Sequence, residues 1–177
     1  MRRFLITTAL CLPTAAFAAG SDTSTPPTQT NTTTNCTDGK VWSEASQSCV
    51  NPVQGSLDDD TLYQAARELA YAGQYGHAQR VLAAMSDQGD DRVLTYLGFT
   101  HRKLGDAELG NAYYRQAIAQ NPNNLLARSY MGQGFVESGD LAAARMLLAE
   151  IRARGGRNTW AELSLRTAIE TGSGYTY

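Results

Sequence analysis

The chain has little of what chemistry usually requires. Its 177 residues include two histidines, His77 and His101, and neither stands near a cysteine. A protein-bound metal needs three or four ligands gathered at close spacing, and no such His or Cys cluster occurs in the sequence. There is no Gly-x-Ser-x-Gly turn to present a nucleophilic serine and no glycine-rich phosphate loop. The run Asp58-Asp59-Asp60 falls where a helix begins, a place where the helix dipole favours acids, so it calls for no cation. No catalytic residue, metal or cofactor is therefore expected, and the chain is not expected to be an enzyme. Charge removes another class. Lys and Arg total 15 against 17 Asp and Glu, a formal net charge of −2, whereas nucleic-acid binding asks for a basic face or stripe. Long apolar runs are scarce as well. The run over residues 4–12 is too short to span a bilayer, and no second stretch of membrane length follows, so no transmembrane segment is expected in the mature chain.

That short run carries information of its own. Met1, Arg2 and Arg3 give a positive start, Pro13 breaks the run, and Ala16-Phe17-Ala18 places small residues where a signal peptidase reads. Residues 1–18 are expected to be a signal peptide cleaved near Ala18, which makes the mature protein periplasmic or secreted. Cys11 belongs to the apolar run; Leu10 stands where a lipoprotein signal would have Gly or Ala. Loss of Arg2 and Arg3 leaves 13 basic against 17 acidic residues, about −4. Residues 19–35 are Thr, Ser, Pro, Asn and Gln with almost nothing to bury. Such a segment cannot offset its ordering entropy and is expected to be a disordered linker. Cys36 and Cys49 remain. In an exported chain an even pair reads as one disulfide, worth about 3 kcal/mol for a loop of about fifteen residues. A redox pair would be Cys-x-x-Cys. Thr37-Asp38-Gly39 reads as a turn and Lys40-Val41-Trp42 as a short extended piece. Residues 36–57 form this disulfide-closed segment, whose stabilisation is expected to stay local and not to reach the repeats.

What the chain does have is a repeat. Gly73, Gly105 and Gly139 lie at the same place in three similar stretches. Four residues before them stand Leu69, His101 and Phe135; five after, Ala78, Gly110 and Ala144; four further on, Leu82, Tyr114 and Leu148. Each unit predicts two helices. Leu62, Ala65, Ala66 and Leu69 in one unit, and Leu94, Leu97, Gly98 and His101 in the next, fall at i, i+3, i+4 and i+7 and make one helical face. Ala or Gly at the crossing lets paired helices approach. Each glycine ends a first helix in a left-handed conformation that costs it no Cβ clash. Asp106 and Asp140 then cap the second helices, while Gln74 is the poorer cap of the first unit. Asn121-Pro122 stops the second unit. Residues 159–171, with Trp160, Leu163, Leu165 and Ile169 apolar, make one more helix to cover the last face, and residues 172–177 are a short tail. His101 is expected to be half-buried or in the core, and His77 exposed.

This arrangement resembles the tetratricopeptide repeat (TPR) family, in an exported bacterial form, over about residues 58–170. The middle unit supplies Leu94, Leu97, Gly98, Gly105, Tyr114, Ala117 and Pro122. The third supplies Gly132, Phe135, Gly139, Ala144 and Leu148, with Gly156 where Pro is expected. The first keeps Gly73, Ala78 and Leu82, has Ala66 for Gly, and is two residues short. The resemblance implies an all-α fold: a short TPR solenoid of three helix-turn-helix repeats (59–90, 91–124, 125–158) with a C-terminal capping helix (159–171), a TPR domain of 58–171 in all. It also implies a concave groove lined by first helices that binds an extended peptide or a helix of a protein partner. Carried over by alignment, the groove positions are Tyr63, Gln64, Arg67 and Tyr71, then Arg92, Thr95, Tyr96, Phe99, Arg102 and Lys103, then Ser129, Tyr130, Gln133 and Glu137. Tyr and Arg are the types enriched at energetic centres of interfaces. The Lys and Asn pair that clamps a terminal carboxylate in chaperone-type members is missing. Two functions follow: a non-enzymatic interaction scaffold of the cell envelope, or a structural, self-associating subunit using the convex face or the Trp160 region.

Overall fold

The computed structural model describes residues 25–174. The expected signal peptide and the last three residues of the tail lie outside the described residues. From Asp59 onward the chain is helical: α2 (Asp59–Tyr71), α3 (Tyr75–Ala83), α4 (Asp91–Lys103), α5 (Ala107–Gln120), α6 (Leu125–Glu137), α7 (Leu141–Ala153) and α8 (Trp160–Thr171). They pair as α2–α3, α4–α5 and α6–α7, with α8 packed on both α6 and α7. The fold is the expected all-α repeat of three helical hairpins and a closing helix. One continuous core runs through it, from Leu62, Ala66 and Leu69 past Tyr96, Phe99 and Tyr114 to Ile151 and Leu165.

The turns follow the glycines. Gly73, Gly105 and Gly139 have φ of +75°, +96° and +84°. After each, two backbone bonds close a Schellman motif: Gly73 N–H to Ala70 O and Gln74 N–H to Leu69 O in the first unit, with Gly105, Asp106 and Gly139, Asp140 repeating it. Asp106 Oδ1 then accepts from Leu109 N and Asp140 Oδ1 from Ala143 N, both at 3.0 Å, while Gln74 makes no side-chain cap. A fourth such turn ends α7, where Gly155 has φ +80°. Gly156, in the place of the expected Pro, is needed for space: a Cβ there would lie 2.6 Å from Ile151 Cγ2 and 2.9 Å from Leu125 Cδ1. The shortened first unit is closed by side chains instead of helix. Asp59 accepts from the Ser86 amide at 2.9 Å, and Gln88 Nε2 donates to Leu82 O and Met85 O.

Two expectations about α8 and the histidines need adjustment. The buried face of α8 is Trp160, Ala161, Ser164, Leu165 and Ala168, while Leu163 points out at 41% exposure. Polarity alone puts Leu163 with the inner residues, but helical spacing from Trp160 selects Ser164 and Ala168. His101 is half-buried as expected, stacked on Tyr113 with centroids 5.5 Å apart. His77 is also half-buried, because Gly39 of the disulfide segment lies on it.

That segment is not remote from the repeats. Strands β1 (Val41–Ser43) and β2 (Ser48–Val50) pair antiparallel with Trp42 opposite Cys49, and Cys36 and Cys49 are joined at a Cα separation of 5.6 Å. The hairpin docks on α3 through Arg80 Nη2, which donates to Asp38 O at 2.6 Å. Val41 is 1% exposed and belongs to the main core. A repeat array has an uncovered face at each end; α8 closes one, and this hairpin packs at the other. Its stabilisation therefore reaches the first unit, contrary to the local role expected from sequence.

Candidate functional site

The first helices of the units, with α8, form one layer: α2 contacts α4, α4 contacts α6 and α6 contacts α8. The layer curls enough for Trp160 Nε1 of α8 to donate to the Tyr71 hydroxyl of α2 at 2.8 Å. Between lies an aromatic sheet. Tyr63 and Tyr96 meet edge to face at 5.7 Å, Tyr96 and Tyr130 at 5.8 Å, Phe99 and Tyr130 at 4.9 Å, and Tyr71 stacks on Phe99 at 5.8 Å. Their hydroxyls link up. Arg67 Nε donates to Tyr96 OH at 3.3 Å, Tyr96 and Tyr130 hydroxyls are 3.2 Å apart, and Tyr130 and Tyr71 hydroxyls 2.6 Å apart. Cations lie over the rings: Arg67 and Arg92 over Tyr63 at 5.6 and 5.0 Å, Arg102 and Lys103 over Phe99 at 5.6 and 6.0 Å.

The structure thus brings the residues assigned to the groove into one layer, but it does not leave them all on a surface. Tyr63, Arg67, Tyr96, Phe99, Arg102, Tyr130 and Gln133 are buried, whereas Tyr71, Arg92 and Lys103 are half-buried. Gln133 is turned to Ser129 and Ser164, and Arg92 is held by Asp90 and Asp60 at 2.8 Å each. Most of these side chains are engaged with one another beneath the surface, whereas Arg67 also reaches the N-terminal segment through Thr25 O. Trp160, named as a possible self-association surface, is turned inward.

Arg102 and Glu137 make the main ion pair of the layer, with Lys103 joining Glu137 at 3.4 Å. Burial works against the Glu137 charge, but the guanidinium bonded to it outweighs this and holds the carboxyl below its usual range. Lys103 is pulled below the ordinary lysine value, by burial first and then by Arg102 beside it. Burial pushes the Tyr114 phenol, behind this pair, up to about 12.

Over this layer runs the chain's own N-terminal segment, which composition assigned to a disordered linker. Its described part, residues 25–35, is held down against α2. Thr25 O accepts from Arg67 Nη2 at 3.2 Å. Glu68 accepts from the Thr30 amide at 2.7 Å, the Thr30 hydroxyl at 2.6 Å, the Thr33 amide at 3.1 Å and the Thr33 hydroxyl. A single turn, α1 (Asn31–Thr34), follows, and Thr32 Oγ1 accepts from the Trp42 amide at 3.2 Å. What holds the described part of this stretch is charge-assisted hydrogen bonding and the adjoining disulfide, not apolar burial. Glu68 was not singled out from sequence. Its only signal was a carboxylate on the inner face of a first helix, one position before Leu69. Between the segment and the layer lies a cleft of about 620 Å³, lined by Pro26, Pro27, Glu68, Tyr71, Tyr75, Lys103 and Trp160 among others. Arg67 donates to a main-chain carbonyl and Glu68 accepts from main-chain N–H groups, the two halves of a peptide's polar backbone. Among the described residues no group of His, Cys, Asp and Glu could hold a metal ion, and no helix is long and apolar enough to cross a membrane.

The chain is 28% identical over 102 residues to cellulose synthase 1 operon protein C of Komagataeibacter xylinus, a stretch that covers 56% of this chain and 8% of that protein. The match thus involves a small part of a much longer relative. No protein-family model matches the chain, and no solved structure matches it.

Proposed function

We propose that this protein is an exported, non-enzymatic scaffold of the TPR type that holds a peptide segment of a protein partner in its concave face. The observation that carries the reading is the stretch of chain that walls the cleft, extended at first and closing in the single turn α1, held by Arg67 through a carbonyl and by Glu68 through amides and hydroxyls. A surface that grips main-chain groups together with side-chain hydroxyls suits peptide recognition, and the aromatic and arginine side chains beneath it are of the kind that anchor interfaces. The disulfide supports an oxidising compartment, which agrees with a periplasmic or secreted protein exported by the expected signal peptide. The similarity to an operon protein of a bacterial cellulose synthase supports service in an envelope assembly.

Site-specific photocrosslinking tests the reading. A photoreactive residue in place of Tyr75 or Lys103, inside the cleft, is expected to trap one or a few protein species in cells. The same residue in place of Arg145, on α7 and outside the cleft, is expected not to trap them. Equal trapping from both places, or none from the cleft, contradicts the proposal.

A further inference from the structure

Three features set residues 25–34 apart from an ordinary packed segment. The first is how little they bury. Thr25, Pro26, Thr28, Gln29, Thr30 and Thr34 are exposed, and of the segment only Thr32 is buried. The second is what holds them. Glu68 is 5% exposed, and its hydrogen bonds come from Thr30 and Thr33. If the segment leaves, water can take the same lone pairs, so release does not strand a buried charge. The third is the anchor. Immediately after the segment, Cys36 is tied to Cys49 and the hairpin is pinned to α3 by Arg80. A displaced segment would stay tethered beside its site.

Resting on the concave-face reading above, we infer that residues 25–34 are a built-in ligand that occupies the partner's site in cis, and that Glu68 is the residue that reads it. Glu68 takes the amide and hydroxyl of Thr30 and of Thr33, three positions apart, at the two ends of a Thr-x-x-Thr turn. Arg67 takes a carbonyl five residues before the first of them, and Pro26-Pro27 stiffen the approach between. The partner segment this cleft accepts has the same chemistry: a Pro-containing stretch that closes in a turn with Thr or Ser at both ends. Asp or Glu at those two positions is excluded by repulsion from Glu68. A flexible short tether gives an effective concentration of the order of millimolar. The cis segment therefore screens out weak ligands and yields to stronger ones.

The test uses the full chain and a labelled synthetic peptide copying residues 25–35, read by fluorescence polarisation. Wild type is expected to bind it weakly, because its own segment already takes the hydrogen-bonding groups of Arg67 and Glu68. The Thr30→Ala/Thr33→Ala chain, whose own segment has lost its hydroxyl contacts to Glu68, is expected to bind the peptide about tenfold more tightly or better. Adding Glu68→Gln to that chain should remove the gain. Thr30 is exposed and Thr33 half-buried, so the double variant should keep its helical circular dichroism. A second readout needs no variant: excess peptide should speed hydrogen exchange at the Thr30 and Thr33 amides of wild type as the cis segment is displaced. Equal peptide binding by wild type and the double variant, or exchange at those amides unaffected by peptide, overturns the inference and makes the segment a fixed part of the fold. Crosslinking from positions 75 and 103 does not depend on this peptide, so failure here and failure of the concave-face reading are separately visible.

Discussion

Gly98 and Gly110 face each other where α4 crosses α5, and the closeness of that crossing rests on two missing methyl groups. A Cβ on Gly98 would lie 2.6 Å from Tyr114 Cε1 and 3.0 Å from Gly110 O; one on Gly110 would lie 2.8 Å from Gly98 O. The obstacles include backbone, so the helices must move apart. Gly98→Ala is expected to cost about 1–3 kcal/mol, the usual range for overpacking, seen as a lower midpoint in urea with the slope unchanged. Gly73→Ala meets nothing within 4 Å and should cost only the left-handed backbone strain, about 1–2 kcal/mol. Tyr114 gives a prediction of a different kind. Its folded pKa is raised, from an ordinary 10.0 to about 12. The neutral buried phenol therefore contributes in full below the ordinary value, and that contribution is lost as pH rises through the folded one. Denaturant titrations of wild type and Tyr114→Phe should keep a constant stability difference up to about pH 10 and diverge above it, with wild type falling faster. Parallel curves to the alkaline end would mean that the phenol is not buried as described.

At the scale of elements, the disulfide hairpin is a cap for the array and not an appendage. Val41 lies in the main core, and Arg80 and His77 of α3 meet Asp38 and Gly39. Replacing Cys36 and Cys49 together by Ser is expected to lower stability by about 2–4 kcal/mol and, in hydrogen exchange, to deprotect α1, α2 and α3 before α6 and α7. A loss spread evenly over the helices would deny the hairpin its capping role. What the sequence made legible, and what it hid, divides at this scale. Gly73, Gly105 and Gly139, the Asp106 and Asp140 caps and the Asn121-Pro122 stop were readable because each acts within four or five residues of itself. The aromatic layer was readable as positions, because alignment of the units puts Tyr63, Tyr96 and Tyr130 in register. Its burial was not, since that depends on how far the units curl and on α8 carrying Trp160 across to Tyr71. The ordered segment was hidden because Thr30 and Thr33 find their partner 35 and more residues away, in a carboxylate that no local pattern marks.

For the whole molecule, the polar cross-links between units complement the core. Asn124, at the end of the second unit, caps α6 of the third through Ala127 N and reaches back to Asp91 and Thr95 of α4 at 2.7 and 2.8 Å. Arg152 of α7 ties the last unit to α8 through Glu162 at 2.7 Å, while Arg128 holds α6 to α7 within that unit through Glu150 at 2.9 Å. These bonds fix how each unit sits on the next, and hence the curl that brings α8 round to α2 and gives the concave face its shape. The central claim is that this face is where the protein meets its partner. It is tested most directly by hydrogen exchange on the full chain, alone and with a protein crosslinked to it in cells and then purified. The account predicts new protection around Tyr71, Tyr75 and Lys103, with faster exchange at Thr30 and Thr33 as the segment gives way. Protection confined to the outer faces of α5 and α7, with the cleft and residues 25–34 unchanged, would contradict it.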